Sequence, residues 1–366
     1  MADLSERKLA HKFIVVGAGI VGATIAYHLA RSGHTVSVYD SGTPETRATH
    51  SSFGWINASF YIDANHHRLR AASLESWRQL QHDIQSESIR WPGCLCFEHS
   101  GDQLEAQYNA LQTLDYECEI MTTSEIRALC PNLPTLPTTA LWLPQEGVAQ
   151  SDRLTSELLH AATRAGASLN TPHPVERLLE RNGRVCGVQT TLGSEEAESV
   201  VIAAGVGSEV LAKGIGVRLP MLSRPGVLLR TQPVAHVVDP IMVSSEMEFQ
   251  QLPDGRFLAP TAAGHQSDES ETLDDLAEST AMGLRTLRRL TGLDQLELEH
   301  AVVGWRPVPE DHLPVIGPGG VEGAYFAVMH SGVTLAALIG ERVAQELSGQ
   351  ESSDLQAYRP ARFIAS

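Results

Sequence analysis

The first forty residues alternate short apolar runs with a glycine-rich turn. Residues 13–16 are continuously apolar, which is typical of a short buried strand. Residues 17–22 read Gly-Ala-Gly-Ile-Val-Gly, and residues 23–32 carry an apolar pattern of helical period. A second apolar run, Thr35–Tyr39, is closed by Asp40. The pattern therefore predicts a strand, a glycine turn, a helix and a second strand, in that order.

Further along the chain, hydrophobic periodicity predicts a mixed succession of helices and strands. The predicted helices span residues 104–114, 124–129, 153–164 and 273–290, with a last one ending at Leu347. The predicted strands span residues 167–170, 200–205, 226–231, 256–259 and 324–329. Residues 41–57 are rich in Ser, Thr and Gly, which predicts a long loop rather than a helix or a strand.

The glycine turn and the acid after the second strand match the dinucleotide-binding fingerprint. Gly17 permits the tight turn, Gly19 lets the backbone approach a pyrophosphate, and Gly22 lets helix and strand pack closely. The helix start offers unpaired N–H groups and partial positive charge to phosphates. Asp40 can accept hydrogen bonds from ribose hydroxyls, and an acid there disfavours the 2′-phosphate of NADP. The fingerprint alone leaves FAD and NAD open, and a glycine-rich turn in an ordinary α/β protein is its structural alternative.

The loop after Asp40 favours FAD. A continuous NAD dehydrogenase would repeat strand–helix units directly after this acid, whereas the chain continues into the long polar loop of residues 41–57. Long ordered loops in compact domains are usually functional, and this one can line a large flat cofactor with backbone N–H groups.

Composition narrows the class of protein. The chain has 366 residues, which suggests two domains at about 150 residues each. Its net charge of −17 and the lack of a basic stripe argue against nucleic acid and anionic membranes as partners. No metal-binding spacing is present, so we expect no metal site. The adjacent His66 and His67 are interpreted as a solvated helix face.

Two features bear on the compartment. The five cysteines form an odd set without repeated spacing, which predicts reduced thiols and a cytoplasmic protein. Residues 13–30 lack charged side chains and could be read as a signal peptide or a membrane span. The three glycines and the strand that follows disfavour that reading, and we expect no membrane span.

Several later motifs carry a family resemblance. The loop reads Asp-Ser-Gly-Thr at residues 40–43, Arg-Ala-Thr at 47–49 and Phe-Gly-Trp at 53–55. Residues 302–317 contain Gly-Trp-Arg-Pro and, after six residues, Pro-Val-Ile-Gly, and residues 330–334 read His-Ser-Gly-Val-Thr. With the glycine turn, these motifs make the chain similar to the FAD-dependent amino-acid and amine oxidases of the D-amino acid oxidase superfamily, near glycine oxidase and monomeric sarcosine oxidase.

The resemblance implies a set of site residues. It implies that Arg306 grips a substrate carboxylate and that His330 contacts substrate, although Arg306 alone would be interpreted as a surface arginine and His330 as the cap of a strand end. It implies that Thr334 caps the last helix, whose N-terminus faces the flavin. The residues it implies for cofactor binding are Gly17, Gly19, Ile20, Val21, Gly22, Asp40, Ser41, Arg47, Ala48, Thr49, His50, Phe53, Gly54, Trp55, Val175, Ala204, Gly205, Ser331, Gly332, Val333 and Thr334.

The implied fold is α/β plus α+β: a Rossmann-like FAD-binding domain with an inserted antiparallel-sheet substrate domain. We predict that residues 1–85, 145–215 and 300–366 form the FAD-binding domain and that residues 86–144 and 216–299 form the substrate domain. Arg224, Arg230, Phe249, Gln250 and Gln251 are weaker candidates for the pocket wall, since each is also an ordinary strand residue.

The implied activity is oxidation of the C–N bond of a small carboxylate-bearing amine, with hydride transfer to flavin N5 and hydrolysis of the resulting imine. Glycine, N-substituted glycines, secondary amino acids such as sarcosine or iminodiacetate, and D-amino acids all remain open as substrates. Oxygen or another compound would accept the electrons, and a homo-oligomer is possible. We expect FAD to be bound non-covalently, with covalent attachment at His50 as the alternative. A flavin-holding subunit of a larger dehydrogenase and an NAD-dependent dehydrogenase are the rival functions.

Overall fold

The computed structural model of the chain describes residues 10–42, 48–261, 272–273 and 275–363. Within these residues there are eight α-helices. They are α1 (Ile20–Arg31), α2 (Ala64–Ile84), α3 (Asp102–Gln112), α4 (Thr123–Leu129), α5 (Ser151–Arg164), α6 (Ser208–Gly214), α7 (Leu276–Thr291) and α8 (Gly332–Leu347). Short 3₁₀ helices span Gly205–Gly207, Ser353–Tyr358 and Pro360–Phe363.

A six-stranded sheet, called the parallel sheet below, holds the predicted strand–turn–helix–strand unit. Its strands lie in the spatial order Val315–Pro318, Ala324–Val328, Ser199–Ile202, Lys12–Val16, Thr35–Tyr39 and Ser168–Asn170. Only the first pair is antiparallel. Val16 is paired with both Tyr39 and Ile202, so the carboxyl ends of three strands meet at one edge, where the glycine turn follows. Helix α1 packs on this sheet and against α5 and α8.

The second large sheet has eight strands and is called the eight-stranded sheet. Its spatial order is Leu298–Trp305, Pro225–Thr231, Phe257–Pro260, Glu248–Gln251, Ile241–Ser244, Cys94–Phe97, Thr139–Leu143 and Glu119–Thr122. All of its pairs are antiparallel except Ile241–Ser244 with Cys94–Phe97. The parallel and eight-stranded sheets correspond to the two sheet types that the sequence predicts. The domain boundaries themselves stay a prediction.

Smaller sheets connect these layers. One consists of Trp55–Ile56, Gly147–Ala149 and Ile89–Arg90, and another of Val175–Arg181, Arg184–Thr190 and Gly193–Glu196. A two-stranded sheet joins Met221–Leu222 to Val308–Pro309. The loop predicted over residues 41–57 therefore ends in a short strand, because Trp55 pairs with Val148.

The interpretation of His66 and His67 as a solvated face is wrong. Both side chains are buried, at 4% and 2% exposure. Helix α2 contacts both α8 and α5, and the two histidines are among its buried residues. His67 packs edge-on between the rings of Tyr61 and Tyr116.

Two structural findings bear on the features from which the compartment was predicted. All five cysteines are free thiols. Residues 13–30 form the first strand, the glycine turn and most of α1 rather than a single apolar helix. Among the helices of the described residues, none is both long enough and apolar enough to cross a bilayer.

Candidate active site

A cavity of about 860 Å³, called the first cavity, lies between the carboxyl edge of the parallel sheet and one face of the eight-stranded sheet. Its wall contains most of the residues that the sequence singles out. Those residues are Gly17, Gly19, Ile20, Val21, Asp40, Ser41, Ala48, Thr49, Phe53, Gly54, Trp55, Val175, Ala204, Gly205, Arg306, His330, Ser331, Gly332, Val333 and Thr334. The fold thus brings together segments that are more than three hundred positions apart in sequence.

Two predicted cofactor residues are placed differently, and the position of a third is not described. Gly22 does not line the first cavity, and it packs under the turn instead. His50 lines a different cavity on the other side of its loop. Arg47 lies outside the described residues. The assignment of individual residues to cofactor contact stays a prediction.

The glycine turn is as tight as its spacing requires. Gly17 has a φ of +109°, and its N–H donates to Tyr39 O at 2.8 Å. A Cβ at Gly17 would clash with Ala203 O, and a Cβ at Gly22 would clash with Gly17 O. Only glycine fits positions where the backbone approaches this closely or φ is positive.

Helix α1 starts at the cavity wall without a side-chain cap on Gly19. The N–H of Ile20 donates to Thr49 Oγ1 at 3.2 Å, so the loop after residue 47 is attached to the helix start. The first turn of a helix carries unsatisfied N–H groups and partial positive charge. This wall of the cavity is therefore suited to bind a phosphate group.

Asp40 ties the turn to the neighbouring loops. Its carboxylate accepts hydrogen bonds from the N–H groups of Ala18 at 2.7 Å and Gly42 at 2.8 Å. Its carbonyl accepts from the N–H of His173 at 2.8 Å, two residues before the cavity-lining Val175. The carboxylate is thus held in one orientation at the end of the cavity where the sequence predicts ribose binding.

The start of α8 is attached to the loop rather than capped by Thr334. Thr334 Oγ1 donates to Trp55 O at 3.0 Å and accepts from Asn57 N at 3.4 Å. The capping role expected of Thr334 is therefore wrong, because its hydroxyl is used across the interface. Ser331, at the N-cap position with a φ of +57°, makes no side-chain cap bond either. The first turn of α8 consequently faces the cavity uncapped.

A buried arginine, Arg70, binds the loop that contacts the start of α8, and it was not identified from the sequence. Arg70 on α2 is 2% exposed and lines the first cavity. Its Nε donates to Asn57 O at 3.1 Å and its Nη2 to Asn57 Oδ1 at 2.5 Å. Ser73 Oγ donates to Thr334 O at 2.7 Å, and Trp77 Nε1 donates to Val333 O at 2.9 Å. The i, i+3, i+7 spacing of the three α2 residues is the one signal in the sequence that places them on a single face.

A buried acid, Glu146, contacts the same segment around Trp55 that Arg70 binds. Glu146 is fully buried and accepts hydrogen bonds from Trp55 Nε1 (2.9 Å), Ser59 N (3.2 Å) and Tyr116 Oη (3.1 Å). Burial raises the pKa of Glu146, while these donors oppose the rise. Burial lowers the pKa of Arg70 to about 10, and attraction to Glu146 opposes that change. Arg70 and Glu146 together hold the segment of residues 55–59 in place, since Arg70 binds Asn57 and Glu146 binds Trp55 and Ser59.

Arg306 follows the edge strand Leu298–Trp305 and lies on the cavity wall. Its Nε donates to Arg224 O at 3.3 Å and its Nη2 to Pro225 O at 3.1 Å. These two carbonyls orient the guanidinium plane beside Gly226. A guanidinium held by backbone carbonyls in a cavity is suited to bind a planar anion such as a carboxylate.

His330 connects the last strand of the parallel sheet to α8. Its Nδ1 lies 3.3 Å from Ser331 Oγ, and its side chain lines the first cavity. Of the weaker candidates, Arg224 contributes a carbonyl to Arg306, whereas Arg230 and Gln250 line a different cavity. Cavity-wall residues that the sequence did not reveal include Phe60, Glu248 and Trp305.

Comparison with known proteins decides the class of the cofactor. A protein-family model described as FAD dependent oxidoreductase matches residues 12–346. The chain belongs to this family. The predicted class of enzyme and the predicted cofactor, FAD, are thereby confirmed, and the NAD alternative is excluded.

Relatives of this FAD-dependent oxidoreductase match it over nearly its whole length. An opine oxidase subunit of Agrobacterium tumefaciens (strain Ach5) is 24% identical, and the match covers 96% of this chain and 97% of that protein. Glycine oxidase of Bacillus licheniformis is 25% identical, covering 95% and 96%. The crystal structure of L-proline dehydrogenase from P. horikoshii has a TM-score of 0.86 at 22% identity, covering 97% and 98%. The predicted fold class is confirmed, and the chain is an FAD-dependent oxidoreductase.

The first cavity fits FAD. Its cradle at Gly17 is a place where a side chain would collide with the backbone, and two uncapped helix starts, those of α1 and α8, face into it. Its volume is in the upper part of the range of about 300–1,000 Å³ usual for small-molecule sites. Residues of α1 and its turn would hold the pyrophosphate, and the segment from Ala48 to Trp55 would lie along the cofactor.

Proposed function

We propose that this enzyme oxidises the C–N bond of a small amine that also bears a carboxylate. Glycine, N-substituted glycines, secondary amino acids such as sarcosine or iminodiacetate, and D-amino acids belong to this class. The observation that carries the proposal is Arg306, which lies in the same cavity as the glycine turn with its guanidinium held by two carbonyls. A cation at that place gives the substrate carboxylate a fixed partner.

The roles of the chain's own residues follow from their positions. Arg306 binds the carboxylate and so fixes the orientation of the α-carbon in the cavity. The uncapped start of α8 supplies positive potential to the same space. The bound FAD supplies the oxidising power for the C–H bond next to nitrogen. A neutral amine needs no protein base for this step, and the imine product is hydrolysed by water.

The named relatives support the substrate class. Glycine and L-proline, which two of them carry in their names, each have a carboxylate on the carbon bonded to nitrogen. An arginine clamp suits both molecules. The identities of 22–25% leave the individual substrate of this chain to experiment.

The test is the visible spectrum of the FAD-loaded protein under anaerobic conditions. Glycine, N-substituted glycines, D-amino acids and proline analogues are added to separate aliquots, with the matching amines that lack a carboxylate as controls. We expect one class of carboxylate-bearing amines to bleach the flavin band and the control amines to leave it unchanged. Equal bleaching by the carboxylate-free amines would refute the proposal.

A second candidate is a flavin-holding subunit of a larger dehydrogenase. The similarity to an opine oxidase subunit over nearly the full length of both chains favours it. Such a subunit would hold FAD and show no turnover alone with either oxygen or an artificial dye as acceptor. Turnover of the isolated chain with any of these acceptors would exclude this candidate.

A further inference from the structure

A second cavity, of about 670 Å³, shares the same face of the eight-stranded sheet with the first. Side chains two apart on a strand point to one face. Along Pro225–Thr231, Gly226 and Leu228 line the first cavity, and Leu228 and Arg230 line the second. On the edge strand, Gly304 lines the first cavity and His300 the second.

The segment from Thr49 to Gly54 separates the two cavities. Ser51 Oγ donates to Val303 O at 3.5 Å, and a Cβ at Gly304 would clash with Ser51, so the segment lies directly on the sheet. Thr49 and Ser52 line both cavities, whereas His50 lines only the second. The second cavity is therefore a separate space that adjoins the FAD site through one thin wall.

Cations converge on the second cavity although the whole chain has a net charge of −17. Arg90, Arg153 and Arg230 line it, together with His50 and His300. Arg90 donates to Gln251 O at 3.2 Å, and within the described residues no carboxylate oxygen lies at ion-pair distance from it. Burial lowers the pKa of Arg90, and attraction to Asp239 opposes that change.

The two carboxylates in the wall are already engaged. Asp254 pairs with Arg256 at 3.1 Å and with Arg230 at 3.8 Å. Asp152 accepts the N–H of Arg153 at 2.8 Å in the first turn of α5. That helix start also lines the cavity and has no side-chain cap. Arg153 pairs with Glu157 and Arg230 with Glu299, each at 3.2 Å, so Arg90 and the open start of α5 are the positive groups of the wall that are left for a ligand.

A buried acceptor in the wall has no partner. Gln250 is 2% exposed, and its Nε2 donates to Phe53 O at 2.5 Å. Its Oε1 is buried and makes no hydrogen bond within the described residues. Leaving a buried oxygen unpaired is unfavourable, so such a group is usually satisfied by a ligand or by water.

We propose that the second cavity binds a phosphate-bearing small molecule of about nucleotide size. Guanidinium groups and an open helix start together are the usual partners of phosphate. The volume exceeds what a bare anion fills and lies within the range of about 300–1,000 Å³ for small-molecule sites. A ring N–H or amino group of the ligand would satisfy Gln250 Oε1. This site is distinct from the FAD cavity and does not depend on the amine-oxidation proposal.

The test uses the FAD-loaded protein, so that the first cavity is filled, and titration calorimetry with AMP, adenosine and inorganic phosphate. We expect AMP to bind more tightly than either of its parts. Arg90→Gln should weaken AMP binding by about tenfold or more, since a charge-assisted hydrogen bond contributes about 1.5–3 kcal/mol. FAD content and thermal midpoint of the variant show that it is folded.

The matched control is Arg289→Gln, which removes the same charge from α7, where Arg289 pairs with Glu246 outside the cavity. It should leave AMP affinity unchanged. Arg230→Gln serves as a second variant if Arg90→Gln does not fold. Three outcomes overturn the proposal: no AMP binding at about 5 mM, equal affinity for AMP and adenosine, or equal losses in Arg90→Gln and Arg289→Gln. Binding of phosphate as tight as that of AMP would refute a nucleotide-sized ligand.

Discussion

Arg306 shows how far one residue can be interpreted from sequence. The motif around it identifies an arginine before a proline, but the chain alone cannot show that the carbonyls of Arg224 and Pro225 hold its guanidinium. Those residues lie about eighty positions away, and the pairing of Pro225 with Trp305 brings them together. Buried charges are harder still: the spacing of Arg70, Ser73 and Trp77 shows only that they share a helix face, and Glu146 carries no local pattern, so both charges owe their role to tertiary contacts.

Replacing Arg306 by Ala should lower kcat/KM for carboxylate-bearing substrates about 10–100-fold, mostly through KM. The loss of one charged hydrogen-bond partner costs about 1.5–3 kcal/mol. Arg306→Lys should recover part of the loss, since it keeps the charge without the planar fork. Arg256→Gln, outside the first cavity, is the control and should leave kcat/KM unchanged. Initial rates with the best substrate of the panel measure the effect. Equal kcat/KM values for Arg306→Ala and the parent enzyme would show that Arg306 does not bind the substrate carboxylate.

Gly22→Ala should reduce both FAD content and thermal stability. A Cβ at this position collides with Gly17 O, and overpacking of this kind costs about 1–3 kcal/mol. Gly214→Ala, at the end of α6 with open space around it, is the matched control and should leave both quantities unchanged or slightly higher. Flavin absorbance per chain and a melting curve provide the measurements. A Gly22→Ala protein with full FAD content would contradict the tight-turn interpretation.

At the scale of elements, the sequence predicted best where periodicity and turn chemistry agree. The strand Thr35–Tyr39 has the predicted limits, and the first helix begins three residues earlier than its apolar pattern, at Ile20. The interpretation failed for α2, which keeps an exposed stripe through Arg68, Ala72, Glu75, Gln79 and His82. His66 and His67 lie on its buried side instead, and His67 is covered by the rings of Tyr61 and Tyr116, which its local sequence does not reveal.

Ser73→Ala tests the contact between α2 and α8. The Ser73 hydroxyl donates to Thr334 O, and its loss should lower the free energy of unfolding by about 1 kcal/mol. Ser76→Ala is the control from the same helix, because Ser76 bonds to Ala72 O within α2. Urea unfolding of both variants gives the comparison. Equal stability losses would mean that the inter-helix bond contributes nothing beyond the change of residue.

At the scale of the whole molecule, the candidate site consists of segments that the sequence could identify but not assemble. The glycine turn, the loop around Trp55 and the start of α8 were each recognisable from motifs. Their convergence depends on the parallel order of the first sheet and on α2, which supports them from behind. The second cavity gave no signal at all, since Arg90, Arg153 and Arg230 come from three separate elements.

Buried histidines should make the whole fold sensitive to acid. Burial lowers the pKa of His28 to about 4, of His66 to about 3, and that of His67 below its ordinary 6.5. The folded state keeps them neutral while the unfolded chain takes up protons below pH 6.5. Stability is therefore complete above that pH and falls below it, by about 1.4 kcal/mol per pH unit for each of His28 and His66 and in the same direction for His67. His67→Phe, which keeps the ring between Tyr61 and Tyr116, should reduce this slope, whereas His82→Gln, at an exposed position, should not. Urea unfolding between about pH 7.5 and 5.5 measures the slopes over the range below the unfolded pKa. An unchanged slope in His67→Phe would show that this histidine is protonated in the folded protein.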